Sequence, residues 1–253
     1  VRPVSARSRA GLPAGPWRGR LVLSFSRTAW FSDGTDSLVA VVGEGLSASP
    51  RGIELAGALP SLPPDTALET DGNLWFLNGI GEVLNVKAAP DRTAVLSLGS
   101  DDLRPTASWF QEWKRWFDTS LPDTPEGRWL ATLAAGPGGD WESLVGRGSG
   151  STPLGDDYLA GWFAARRRRG LWSAQEGSRL RRALPRTSRL SRHYLFQLTE
   201  GRVDTALGDF LAGPMPPRAD SAFGRKLAEH GDLSGRATLV GLYAGLSGAP
   251  QCP

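Results

Sequence analysis

Ser108-Trp-Phe-Gln-Glu-Trp-Lys-Arg-Trp-Phe117 is where the hydrophobic rhythm of this chain changes. Trp109, Phe110, Trp113, Trp116 and Phe117 fall at i, i+1, i+4, i+7 and i+8, which lines up one face of an amphipathic helix. We read this stripe as a buried helix face rather than a platform on which bases stack. Upstream, the segments 21–25, 38–42, 52–55, 74–77, 82–86 and 93–98 are short and rich in Val, Leu and Phe. Turn chemistry such as Ser32-Asp33-Gly34 and Asp71-Gly72-Asn73 separates them, with no long helix between, which predicts an antiparallel sheet or small barrel. Downstream, helical spacing predicts helices over 125–135, 156–169, 173–184, 187–200, 203–212, 221–230 and 234–246. Ser173 and Glu176 form a capping-box pattern, and Gly170, Gly201, Gly213 and Gly231 stand where helices should stop. The expected fold is therefore α+β, a β-rich N-terminal sheet or small barrel followed by a mostly helical portion. Residues 1–19 read as a loosely ordered N-terminal arm, 20–99 as the β-rich domain and 100–253 as the helical domain.

Composition narrows the function classes. Hydrophobic residues make up 40% of the 253 positions and charged residues 22%, the balance of a chain that buries a core. The single cysteine, Cys252, excludes an internal disulfide framework and a multi-cysteine metal site. No apolar run approaches 18 residues and no leader-like segment opens the chain, so the expectation is a cytoplasmic protein that does not engage a membrane. Net charge is +3. Arginines cluster at 166–169 and again at Arg179, Arg181, Arg182, Arg186, Arg189 and Arg192, but acidic residues are interspersed and no nucleic-acid motif accompanies them. A solvated basic helix face is the expected reading, with no nucleic-acid partner.

The stretch Gly146-Arg-Gly-Ser-Gly-Ser-Thr-Pro-Leu-Gly-Asp-Asp157 concentrates the chemistry. Gly146, Gly148 and Gly150 allow positive φ and close approach of a ligand to the backbone. Ser151, Thr152 and Gly155 follow, and then Asp156 and Asp157 open an apolar helix. Amides with no helical acceptor at such a start attract anions, by about 0.3–1 kcal/mol from the helix dipole plus directed hydrogen bonds. Two carboxylates at the same place oppose a bare anion. Either a Mg²⁺ ion held by Asp156 and Asp157 mediates, or one Asp caps the helix while the other handles a proton. The Walker lysine and the Rossmann spacing are both missing.

Two further segments belong with it. Thr187 is a candidate N-cap with Ser191 one turn on, Arg189 or Arg192 offers a bidentate clamp for a carboxylate or phosphate, and His193 is a candidate acid or base. In His230-Gly-Asp-Leu-Ser-Gly235, Ser234 and Gly235 begin another apolar helix, Ser234 being the expected cap. Three helix N-termini meeting at one point would repel each other unless something negative lies between them.

The pattern Gly-x-Gly-x-Gly-x-Thr-Pro-x-Gly-Asp-Asp-x-Leu-x-Gly from Gly146 to Gly161 resembles uncharacterised-domain family 2877, with support from Thr187-x3-Ser191 and from Ser234-Gly-x2-Thr-x2-Gly241. That family includes the AllH-like subunit of bacterial oxamate carbamoyltransferase. The resemblance implies transfer of a carbamoyl group between phosphate and the nitrogen of a small carboxylate-bearing amide or amine. The amides at Gly146–Gly150, with Thr152, would hold phosphate, and Ser151, Gly155, Thr187, Ser191, Ser234 and Gly235 are further substrate-binding candidates. Arg189 or Arg192 would take the carboxylate, and Asp156 or Asp157 the attacking amine or a metal. Partner subunits or a homo-oligomer are open under this reading. A non-catalytic anion-binding subunit and a metal-dependent phosphate-ester or nucleotide hydrolase are the alternatives. The Ser-Thr-Arg-Thr signature of ordinary carbamoyltransferases is missing, so their mechanism does not transfer.

Overall fold

The computed structural model describes residues 2–46, 49–72, 74–96, 105–212, 218–229 and 231–248. It divides into two compact units, Val1–Ala94 and Val95–Pro253, and confirms the α+β class.

The first unit is a closed eight-stranded barrel in the order β1-β5-β4-β3-β2-β6-β7-β8. The strands are β1 (Arg2–Ala10), β2 (Trp17–Ser24), β3 (Thr28–Ser32), β4 (Leu38–Val42), β5 (Gly52–Leu55), β6 (Ala67–Thr70), β7 (Trp75–Asn78) and β8 (Glu82–Asn85). Most pairs are antiparallel, but β4 runs parallel to β5, and β1 runs parallel to β8. Ala29, Phe31, Val39, Val41, Ile53, Leu55, Leu68, Leu77 and Leu84 fill the interior. β4 is buried along its whole length, which suits its unbroken apolar run Leu-Val-Ala-Val-Val.

One expectation is overturned here. Residues 2–10, read as part of a loose arm, form the strand that closes the barrel between β5 and β8. Its alternation is regular: Ser5 and Arg7 are exposed while Ser8 and Ala10 are buried. The inward residues are small and partly polar, so no hydrophobic period betrays them. Ser8 Oγ donates to Glu54 Oε2 on β5 at 2.7 Å, which satisfies a hydroxyl and a carboxylate that would be costly to bury separately. β3 and β6 were likewise absent from the expected strands. The strand expected over 93–98 is two residues long, Ala94–Val95, with 97 and 98 outside the described residues.

The second unit contains α1 (Ala107–Ser120), α2 (Pro125–Leu133), α3 (Leu154–Arg168), α4 (Ala174–Ala183), α5 (Arg189–Thr199), α6 (Thr205–Ala212), α7 (Ala222–Ala228) and α8 (Ser234–Ser247). The capping box of α4 is formed as expected from Ser173 and Glu176. Gly170, Gly201 and Gly231 carry positive φ where chains leave helices or turns; Gly213 lies outside the described residues, and the helix expected to reach 230 ends at Ala228, capped by Glu229. The tryptophans of the α1 stripe, Trp109, Trp113 and Trp116, are buried, and Tyr243 of α8 stacks on Trp109 at 5.2 Å. The stripe is core.

α3 and α8 are buried on most faces and cross at glycine. A Cβ on Gly161 would lie 2.0 Å from Thr238 O, and one on Gly241 would lie 1.9 Å from Tyr158 O. The backbones touch because neither position carries a side chain. The arginine clusters are tied up locally rather than simply solvated. Arg166 pairs with Glu176 at 2.7 Å, Arg179 with Glu142 at 2.9 Å and Arg181 with Glu200 at 2.5 Å, and Arg169 donates to the Gly245 and Leu246 carbonyls.

Gly241→Ala should therefore destabilise the protein by about 1–3 kcal/mol, the range for overpacking a close contact. Gly139→Ala, where a Cβ meets nothing within 4 Å, should be neutral or slightly stabilising. Equilibrium denaturation of the two variants distinguishes them; equal stabilities would refute the crossing.

Candidate active site

The glycine-rich loop leads into α3 through a turn held by its own backbone. Arg147 N–H donates to Leu144 O at 3.0 Å, and Gly155 N–H donates to Arg147 O at 2.9 Å. Gly146, at φ +78°, leaves no room for a side chain, since a Cβ would sit 2.4 Å from Arg186 O. Gly150, at φ +96°, faces open space. The Arg147 guanidinium lies over the Trp129 ring at 4.9 Å. Amides of Ser149, Gly150, Ser151 and Thr152 find no acceptor among the described residues, and the stretch 147–151 is exposed.

The two aspartates face different partners. Helix α3 begins at Leu154 with Pro153 as its cap, so Asp156 and Asp157 stand in its first turn rather than at the cap. Asp156 is 2% exposed. Its Oδ1 accepts the Gly146 N–H at 2.8 Å, its Oδ2 accepts a short hydrogen bond from the Thr187 hydroxyl, and the Ser191 hydroxyl faces it from α5. Burial pushes the Asp156 carboxyl up from the ordinary carboxylate range, while these donors pull it back. Asp157 points elsewhere, toward the hydroxyls of Thr152 and Ser234, which lie 3.1 Å from each other. Burial, opposed by the Ser234 hydroxyl and reinforced by the charge on Asp156, pushes the Asp157 carboxyl up to about 7. Its Oδ2 is shielded from solvent and lacks a hydrogen-bond partner of good geometry.

Other expected residues fall into place less directly. Ser188, not Thr187, caps α5, accepting from Ser191 N–H at 3.1 Å. The same hydroxyl donates to Ser151 O at 2.5 Å and latches the loop to α5. Thr187 is instead spent on Asp156. Sequence reasoning missed Ser188 because adjacent Thr and Ser compete equally for a cap, and only the partner of Thr187 decides between them. The cap of α8 is Leu233, and Ser234 is its first helical residue, free of capping duty and turned toward Thr152. Gly148, Gly155 and Gly235 serve packing. Cβ atoms there would meet Leu154 N at 2.9 Å, Leu144 O at 2.1 Å and Leu227 O at 1.8 Å. Arg189 and Arg192 are half-buried on α5. His193 is fully buried, and lying two residues from Ser191 it faces away from Asp156, about 200° around the helix. His230 lies outside the described residues.

The N-termini of α3, α5 and α8 thus converge on the loop, and the negative charge between them is supplied by the chain itself. A metal finds little here: both Asp156 oxygens are occupied by donors, and among the described residues no group of three His, Cys, Asp or Glu side chains is placed to hold an ion.

Two variants test this division of labour. Asp156→Ala would leave the Gly146 amide and the Thr187 hydroxyl without an acceptor, and should cost about 1–3 kcal/mol in chemical denaturation. Asp157 behaves with the opposite sign. Its acid is favoured in the folded state, so the stability it contributes is fully present below pH 3.8 and is lost as pH rises toward about 7. Asp157→Asn, which mimics the protonated acid, should melt with wild type near pH 4 and above it by pH 8. A melting difference that does not change with pH would show that Asp157 titrates normally.

A family profile described as oxamate carbamoyltransferase subunit AllH matches residues 144–246, from the end of the 3-10 turn Trp141–Leu144 into α8. No curated protein and no solved structure matches the chain. No helix among the described residues is long and apolar enough to cross a membrane.

Proposed function

We propose that a chain whose residues 144–246 match the AllH family works as a carbamoyltransferase subunit, and that the loop 149–152 with Asp157 is where it handles carbamoyl phosphate. The observation that carries this reading is the Asp157 carboxyl, held near neutrality between the Thr152 and Ser234 hydroxyls at the foot of exposed, unsatisfied amides. A phosphate placed on those amides and hydroxyls gains directed donors and the dipole of α3. Asp156 does not compete for those donors, since its oxygens are taken up by Gly146 and Thr187.

The chemistry then follows from what such a pocket offers. The attacking nitrogen of an oxamate-like amide forms a bond to the carbamoyl carbon, its proton passes to Asp157, and the bond to the phosphate oxygen breaks. Phosphate departs with the electron pair. An acid near pKa 7 is matched to moving protons in both directions at neutral pH. Backbone amides aimed at the transferring group stabilise the charge that develops on oxygen. Arg189 or Arg192, on the helix that carries Ser188 and Ser191, is the proposed partner for the acceptor's carboxylate.

The family description names a subunit, which favours one second reading: an anion-binding subunit whose catalytic groups come from a partner chain. Turnover separates the two. Purified protein, alone and with partner subunits, is supplied with carbamoyl phosphate and oxamate, and phosphate release is followed. Asp157→Asn should lower turnover by about 100- to 10,000-fold, the usual contribution of a positioned acid or base. Carbamoyl phosphate at 100 times its dissociation constant should still raise the stability of that variant by about 2.7 kcal/mol. Full activity in Asp157→Asn with a partner present would assign the chemistry to the partner. Mg²⁺-dependent phosphate release without any acceptor would favour a hydrolase.

A further inference from the structure

The barrel unit carries a cavity of about 460 Å³ that the carbamoyl-transfer reading does not use. Its floor is Trp75 and Val86, both members of the barrel core, and Leu12 forms part of its wall. Two cations line it, Arg9 and Lys87, together with Asp91. Arg9 Nε is shielded from solvent and has no acceptor, and neither Arg9 nor Lys87 has an ion-pair partner among the described residues. A shielded guanidinium nitrogen with nothing to donate to is costly unless a ligand supplies the acceptor.

Asp91 feels the Arg9 charge but accepts no hydrogen bond from it. Its Oδ1 accepts both the N–H of Thr93 at 2.9 Å and the Thr93 hydroxyl at 2.6 Å, and these bonds, with the charge of Arg9, hold its carboxyl below the usual range. Thr93 Oγ1 in turn accepts the Gly11 N–H at 2.8 Å, and Arg51 Nε donates to Gly11 O at 3.1 Å. The wall following β1 is therefore tied down on two sides. Segment 90–92 is fastened to the end of β1 as well, by Arg9 N–H to Pro90 O at 3.1 Å and Arg92 N–H to Arg9 O at 2.7 Å. These bonds leave Arg9 in a preformed wall rather than on a loose end. Trp75 is braced by Trp17, with ring centroids 5.9 Å apart. The volume is that of a site for a small organic molecule.

We infer that this cavity binds a small organic oxyanion, its carboxylate or phosphate held by Arg9 and Lys87 and its flat body laid against Trp75. Guanidinium and ammonium groups select the oxyanion, and the indole selects the flat body. An aromatic carboxylate and a nucleoside monophosphate share this chemistry.

Calorimetric titration of the full chain tests the inference. The probes are benzoate and AMP, set against benzyl alcohol and adenosine, which keep the flat bodies and lack the oxyanion. Saturable binding of benzoate or of AMP tells the two sources apart, with the matching neutral compound weaker by about tenfold or more. Arg9→Gln should weaken the bound probe by about tenfold. Lys87→Gln should weaken it severalfold, and since Lys87 is exposed and makes no hydrogen bond or ion pair among the described residues, this variant remains a test even if Arg9→Gln fails to fold. Trp75→Phe should weaken both probes. Failure of both oxyanions to bind, or binding by Lys87→Gln and Arg9→Gln equal to wild type, overturns the inference.

Discussion

A single buried carboxylate organises the helical unit. Asp156 takes the amide of Gly146 on one oxygen and the hydroxyl of Thr187 on the other, joining the loop before α3 to the chain entering α5. Burying an ionised carboxylate is expensive unless its lone pairs are met, and here both oxygens are. With Asp156 engaged in this way, the loop that follows Gly146 has one shape, the hydroxyls of Ser188 and Thr152 have fixed partners, and Asp157 is left facing Ser234.

The adjacency of the two acids then becomes informative. Neighbouring residues on a helix point about 100° apart, so the pair serves two directions. One carboxylate is saturated with donors and holds structure. The other has fewer donors, loses solvent, feels the charge of the first, and so keeps its proton to about neutral pH. Burial raises both carboxyls, and the different donors around each are what set them apart.

The glycines show a similar separation. Gly146, Gly148, Gly155, Gly161, Gly235 and Gly241 are small because backbone lies against them, while Gly150 faces open space. Most of the motif is thus a packing code that brings α3, the loop and α8 together. Only a short part of it, around residues 149–152, presents groups outward. A glycine-rich motif can thus spend most of its residues on geometry.

Periodicity and turn chemistry alone determined much of this protein. The change from short apolar runs to the 3.6-residue stripe at Trp109–Phe117 marks the passage from β to α. The helices downstream lie close to their expected bounds because caps and stops are local signals. The acidic pair and its hydroxyl neighbours were also visible, because unusual residue types were crowded into few positions. Tertiary structure decided the rest. Closure of the barrel by β1 depends on small inward residues and a Ser8–Glu54 hydrogen bond made 46 positions apart, which no local window contains. Which aspartate is clamped by Gly146 and Thr187 and which faces Thr152 and Ser234, and that Ser188 rather than Thr187 caps α5, depend on partners brought from α5 and α8. Burial and long-range hydrogen bonds set those roles, and both exist only once the chain has folded.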